Sequence, residues 1–288
     1  MDKKEFIIKG LSYRLHSTNL LDDMSFSVQE DEKLAILGIN GSGKSLLLDG
    51  ILGNIECTCE ANSFLDDRQK YGPYGVLYDT FSSFPLLKVR EIVSLLSIIF
   101  NHRVDQSLLK KFGVTDLLDK QFKVLSKGEN KKLGIYAALF FEPKIVFMDE
   151  PLDGLDPNSR NRFWETISGI SCTMIFTTHV WEEVRLYANK IMFVKDGKTL
   201  NQPASSDELL AKYCPYKGKI VISRENGQFS CLTSPDIGKE KQSYEYAYYY
   251  KSQEEKEELL RKFNNNRITN LSILPITLRD VYNYIIKQ

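Results

Sequence analysis

Residues 34–45 read Leu34-Ala35-Ile36-Leu37-Gly38-Ile39-Asn40-Gly41-Ser42-Gly43-Lys44-Ser45, an apolar run followed by the pattern G-x-x-x-x-G-K-S. Four apolar residues entering a glycine describe a buried strand, and Lys44-Ser45-Leu46-Leu47-Leu48 describes the helix that follows it. A loop in this setting wraps its backbone N–H groups around anionic oxygens, and Gly38, Gly41 and Gly43 keep side chains out of the way. Asn40, Ser42 and Leu46 complete the set expected around a bound phosphate chain. Lys44 offers an ammonium to the β- and γ-phosphates, and the Ser45 hydroxyl is placed to join the coordination shell of Mg²⁺. The positive end of the helix faces the same anions.

Farther along, Ile145-Val146-Phe147-Met148-Asp149-Glu150 is a second buried strand, ending in two acids. In a phosphate-loop protein such a strand carries the second Mg²⁺ contact, here Asp149. Glu150 beside it is placed to polarise water for in-line attack, which makes it the expected general base. A third apolar strand, 173–178, runs into His179.

Around these strands the pattern predicts an α/β core with additions. Residues 6–8 and 24–28 read as antiparallel strands, and 89–100, 106–112 and 128–141 as helices of an insertion spanning about 80–142. Residues 191–194 and the turn Asp196-Gly197 read as a strand and hairpin. The character shifts after Ser205, so the expected division is 1–205 and a small α+β appendix, 206–288. In the appendix, 219–223, the turn Asn226-Gly227 and 228–233 suggest a hairpin, 253–263 a charged helix, 268–274 a strand and 278–286 a helix. Tyr244, Tyr246, Tyr248 and Tyr250 alternate without interleaved arginines, the mark of a packed sheet face rather than a base-stacking platform.

Composition narrows the partners. Lysine plus arginine and aspartate plus glutamate both number 38 in 288 residues, so no global field recruits nucleic acid, and no nucleic-acid partner is expected. The longest apolar stretches, 92–100 and 133–141, reach about half of the ~20 residues a membrane-crossing helix needs, and Met1-Asp2-Lys3-Lys4 lacks a secretory apolar region. An intracellular chain with reduced thiols is the expectation, since its five cysteines are scattered and Cys57-Thr58-Cys59 has no second pair to complete a metal site.

Taken in order, the motifs resemble the nucleotide-binding subunit of an ATP-binding cassette (ABC) transporter. Asp149-Glu150-Pro151 runs into Gly154-Leu155-Asp156-Pro157, which resembles the family's D-loop, and His179 matches its switch histidine. Leu125-Ser126-Lys127-Gly128-Glu129 stands upstream of the acidic strand, where the family places its Leu-Ser-Gly-Gly-Gln signature. The resemblance covers about residues 1–205. It implies a phosphate-loop cassette with a mixed sheet, an antiparallel β-subdomain and a helical insertion, using ATP and Mg²⁺. It also implies a head-to-tail pair of cassettes, a homodimer, in which Ser126 and the Gly128 N–H face the γ-phosphate held by the partner copy. Catalysis would fall to Glu150, His179 and Lys44, and the metal to Ser45, Asp149 and Asp79. The partner would be a separate integral membrane permease that selects the cargo, with the cassette at the inner face of the cell membrane. A groove near 78–87 would receive the permease's coupling helix.

The match has departures. Asp79 stands where the family has its Q-loop glutamine, and Lys127 and Glu129 replace a glycine and the glutamine of the signature. These leave open a regulatory cassette that binds ATP with little turnover beside another cassette. Tyr13 and Leu15 are alternatives for the adenine-stacking position. Residues 274–282 resemble the C-terminal end of cassettes serving drug, antibiotic and peptide exporters, including bacteriocin self-immunity systems, which implies export. A single phosphate loop and no long heptad arms argue against translation or DNA-maintenance ATPases. A GTPase fits poorly, because Asn189-Lys190-Ile191-Met192 lacks the closing aspartate of a guanine-reading segment.

Overall fold

Strands β1 (Glu5–Leu15) and β2 (Thr18–Gln29) alternate buried with less buried residues along much of their length, the period of strands with one face on a core. They pair antiparallel from Glu5↔Gln29 to Leu15↔Thr18. The computed structural model describes residues 5–223, 245–266, 268 and 270–287, in two compact units, Met1–Ser205 and Ser206–Gln288.

The first unit continues through β3 (Lys33–Leu37), α1 (Lys44–Leu52), β4 (Ala61–Asn62), the single turns α2 (Ser63–Asp66) and α3 (Arg68–Tyr71), and β5 (Tyr74–Leu77). The helical insertion holds α4 (Val89–Ile99), α5 (Gln106–Lys111) and α6 (Lys127–Leu139). The core resumes with β6 (Ile145–Met148), α7 (Pro157–Ser168), β7 (Thr173–Thr178), α8 (Trp181–Tyr187), β8 (Lys190–Lys195) and β9 (Lys198–Thr199).

Six strands form one sheet in the order β5-β6-β7-β3-β8-β9, parallel except for the β8–β9 hairpin. Strands β6 and β7 are buried at every residue, which is why they are unbroken apolar or β-branched runs rather than alternating ones. Register decides where the site lies. Leu37 pairs with Thr178 and Met148 with Phe176, so the loop after β3 and the acids after β6 flank the C-terminal end of β7, the usual ligand edge of such a sheet. Helix α1 is held in a core that joins Phe6, Ile8 and Phe26 of the antiparallel sheet to Leu47, Ile51 and Phe147.

Two strands escape the sequence pattern. Strand β4 adds to β1 through Ile8↔Asn62 but has two residues, too few to show a period. Strand β5 contains Gly75, where a Cβ would lie 2.0 Å from the Ala138 carbonyl oxygen; only glycine admits this approach of α6.

The second unit comprises α9 (Ser206–Tyr213), β10 (Gly218–Ser223), β11 (Glu245–Tyr250), α10 (Gln253–Asn265), β12 (Leu271–Leu274) and α11 (Leu278–Ile285). Strand β10 pairs antiparallel with β11 on one side and β12 on the other. The expected turn Asn226-Gly227, its hairpin strand 228–233 and Tyr244 lie outside the described residues. Tyr248 and Tyr250 are buried with Ile220, Ile222 and Phe263, and Tyr246 packs against them, a packed sheet face. Asp280 is 5% exposed and accepts hydrogen bonds from Lys219 Nζ, the Tyr249 hydroxyl, and the Thr277 backbone N–H and hydroxyl. Among the described residues no helix is long and apolar enough to cross a membrane.

Candidate functional site

Beyond β3 the chain curls tightly because three positions tolerate no ordinary side chain. A Cβ on Gly38 would meet the Val194 carbonyl oxygen at 2.4 Å. Gly41 and Gly43 have φ of 80° and 102°, in the region that disfavours L side chains. The Asp196-Gly197 turn of the β8–β9 hairpin supports the curl, its Gly197 N–H donating to the Ser42 carbonyl at 3.0 Å. Lys44 is 6% exposed, with Nζ donating to the Gly38 carbonyl at 2.9 Å and the Ile39 carbonyl at 3.2 Å.

A phosphate chain fits this loop on two counts. Ser42 Oγ is buried without a hydrogen-bond partner, and the space beside Gly41 is open, at the N-terminus of a nine-residue helix. Buried polar atoms normally find partners, and a helix N-terminus preceded by such a loop is an anion site. Ser45 and Asp149 line one cleft together with Asp49 and Tyr78. Among the described residues no three His, Cys, Asp or Glu side chains cluster as a metal cage. Mg²⁺ suits this donor set nonetheless, since it usually takes one or two protein ligands beside phosphate oxygens and water.

The acids are fixed from below. The Asp149 N–H donates to the Leu77 carbonyl at 2.7 Å. Thr177 Oγ1 donates to Asp149 Oδ1 at 2.5 Å and accepts from the Glu150 N–H at 3.0 Å, so one buried hydroxyl ties both acids to β7. Sequence reading missed this role, because a threonine in a β-branched run reads as strand propensity. Glu150 has φ of 44°, a left-handed conformation that turns the chain at the strand end. Its Oε1 lies 3.6 Å from Lys44 Nζ. Its Oε2 accepts from His179 Nδ1 at 2.9 Å and from the His179 backbone N–H at 3.2 Å. A carboxylate acceptor places the imidazole proton on Nδ1.

Ser126 and Gly128 lie at the start of α6, and Asp79 meets the same helix through Lys127 and Lys131. Ser126 is the N-cap: its Oγ accepts from the Glu129 N–H at 3.3 Å, and Glu129 Oε2 accepts from the Ser126 N–H at 2.9 Å, a capping box. The glutamate that replaces the signature glutamine therefore serves the cap. Hydrogen bonds from Lys120 and then Ser126 hold its carboxyl below the ordinary value. A Cβ on Gly128 would lie 2.6 Å from the Gly154 carbonyl oxygen. Lys127 Nζ bonds Asp153 Oδ2 at 2.6 Å, an interaction that raises the lysine's pKa and lowers the acid's. Asp79 faces Lys131 Nζ at 3.5 Å and Lys127 Nζ at 4.0 Å, and is not among the residues lining the Ser45–Asp149 cleft. Burial lowers the pKa of Lys131, with Asp79 opposing that shift. Tyr13 is partly buried against the core, whereas Leu15 is 47% exposed.

The ABC transporter family model matches residues 21–153. A Chlorella vulgaris protein named "Probable sulfate/thiosulfate import ATP-binding protein CysA" is 31% identical over 225 residues, covering 70% of this chain and 92% of that protein. "Uncharacterized ABC transporter ATP-binding protein YdbJ" of Bacillus subtilis (strain 168) is 26% identical over 213 residues, 66% of this chain, and the chain spans 66% of that relative's length. A solved "ATP binding subunit of ABC transporter" shares the fold at a TM-score of 0.62 and 23% identity, covering 73% of this chain and 93% of that one. With the phosphate loop, the acidic strand and the histidine assembled in one place, the chain belongs to the ATP-binding proteins of ABC transporters.

Proposed function

We propose that this chain binds ATP with Mg²⁺ at its phosphate loop and hydrolyses it to drive a separate integral membrane permease. The observation that carries the proposal is the convergence on Glu150, which has Lys44 on one carboxylate oxygen at 3.6 Å and His179 on the other at 2.9 Å. Backbone N–H groups of residues 41–44 would bind the phosphate oxygens, and Lys44 Nζ would offset the charge that builds on them. Ser45 Oγ and Asp149 would hold Mg²⁺, which when bound supplies positive charge at the β- and γ-oxygens. Glu150 takes a proton from water as its oxygen forms the new bond to the γ-phosphorus; the bond to the β-γ bridging oxygen breaks and its electrons leave with ADP. His179 fixes the orientation of that carboxylate, and Thr177 fixes the strand end beneath it.

The capped start of α6 supports a head-to-tail homodimer in which Ser126 and the Gly128 N–H of one copy face the γ-phosphate held by the other. Tyr78, Phe84 and Leu86 are exposed, which suits an apolar coupling helix in the groove near 78–87 and a peripheral position at the inner face of the membrane. Export of a drug, antibiotic or peptide rests on the resemblance of residues 274–282 to exporter cassettes. Transport into vesicles carrying the permease decides direction, since the Chlorella vulgaris relative, among others, is named for import. The dimer is tested by sedimentation of Glu150→Gln with saturating Mg-ATP and the permease. A dimer appearing only with nucleotide supports the proposal; monomers throughout would contradict it.

A further inference from the structure

Two of the departures from the family pattern lie side by side. Lys131 is 1% exposed, and a buried lysine needs a counter-charge. Its Nζ is 3.5 Å from Asp79 Oδ1 and 3.5 Å from the Tyr78 carbonyl oxygen. The adjoining residue of α6 holds the same segment through its backbone: Asn130 Oδ1 accepts from the Phe81 N–H at 3.1 Å, and Asn130 Nδ2 donates to the Phe81 carbonyl at 2.9 Å. One turn on, a Cβ at Gly134 would come within 2.8 Å of both Leu77 and Phe81 side chains. Three successive contacts thus bind residues 77–81 to the helix whose N-cap is Ser126. Lys127, where the family has glycine, adds a second cation 4.0 Å from Asp79 while bonding Asp153 at 2.6 Å.

We infer that Asp79 is a positioning residue, the counter-ion of buried Lys131, which locks the segment after β5 onto α6 so that Ser126 and the 153–154 turn move with it as one body. Its carboxylate is engaged by α6 and is not a Mg²⁺ ligand. The aspartate and the lysines are a matched set, so restoring the family's amide at position 79 alone removes the carboxylate paired with the buried Lys131 ammonium. The functional consequence rests on the ATPase reading; the pairing itself does not.

The test is a double-mutant cycle in the full chain with Asp79→Gln, Lys131→Gln and both together. It is read by melting temperature without nucleotide and by steady-state phosphate release at varied ATP and Mg²⁺. Melting is expected to fall in each single variant and to recover in the double. For Asp79→Gln, kcat is expected to fall about tenfold with KM for ATP within about twofold, and the double variant to return kcat to within about threefold of wild type. A merely structural effect would not give that split with rescue. Additive losses in melting temperature overturn the pairing, as does Asp79→Gln matching wild type. A rise in the Mg²⁺ needed for half-maximal rate, unrescued by Lys131→Gln, restores Asp79 as a metal ligand and overturns the inference. If the wild-type chain releases no phosphate, the ATPase reading fails, and the melting cycle still decides the pairing.

Discussion

Glu150 Oε2 accepts two hydrogen bonds from a single residue, His179, one from ring Nδ1 at 2.9 Å and one from the backbone N–H at 3.2 Å. The carboxylate is therefore oriented by a histidine that follows a neighbouring strand. His179→Ala is expected to slow phosphate release roughly 10–100-fold, and the double variant with Glu150→Gln to be no slower than Glu150→Gln alone, because residues acting as one unit do not add. Single-turnover and steady-state rates of the three variants check this.

Thr177 is buried and bonded to both acids. Thr177→Val keeps the volume but leaves Asp149 Oδ1 without this donor and the Glu150 N–H without this acceptor. A stability loss of about 1–3 kcal/mol is expected from the stranded polar groups, with a lower kcat. Thr177→Ser is expected to restore both, as read by denaturant melts and phosphate release.

At Gly128 the limit is steric. Gly128→Ala brings a Cβ to 2.6 Å from the Gly154 carbonyl oxygen, so the start of α6 and the 153–154 turn after β6 must part. A destabilisation of about 1–3 kcal/mol is expected from such overpacking, with a weaker ATP-dependent dimer, measured by melting and sedimentation.

How much of this was legible in the sequence depended on locality. The phosphate loop is contiguous, and β3, β6 and β7 are apolar runs, so both were readable, as was α6, expected as a helix over 128–141. Strands β4 and β5 were not, β4 having only two residues and β5 being broken as an apolar run by Gly75. Thr177 reads as an ordinary strand residue, and its hydroxyl acquires a purpose only when β7 is set beside β6. Asp79 read as a metal ligand by its place in the motif order. Lys131, 52 residues away in the chain, shows what holds it, and no periodicity announces such a pairing.

The appendix offers a pH-dependent test. Burial opposes ionisation of Asp280, but hydrogen bonds from Lys219, Tyr249 and Thr277 outweigh it and hold its pKa below the ordinary value. Such a group binds fewer protons folded than unfolded. Its stabilisation is full above the unfolded value near 4 and is lost as pH falls through the lower folded value. Asp280→Asn is expected to cost about 3–5 kcal/mol at neutral pH, and the gap from wild type to narrow below about pH 4. Melting curves of both proteins from pH 7 to pH 3 check it.

The central claim, that Glu150 activates water at a loop that grips ATP through Lys44, is tested most directly by multiple-turnover phosphate release with Mg-ATP, measured beside ATP affinity for wild type and Glu150→Gln. The account predicts that wild type turns over and that Glu150→Gln binds ATP with similar affinity while its rate falls roughly 10²–10⁴-fold. An unchanged rate in Glu150→Gln would contradict it.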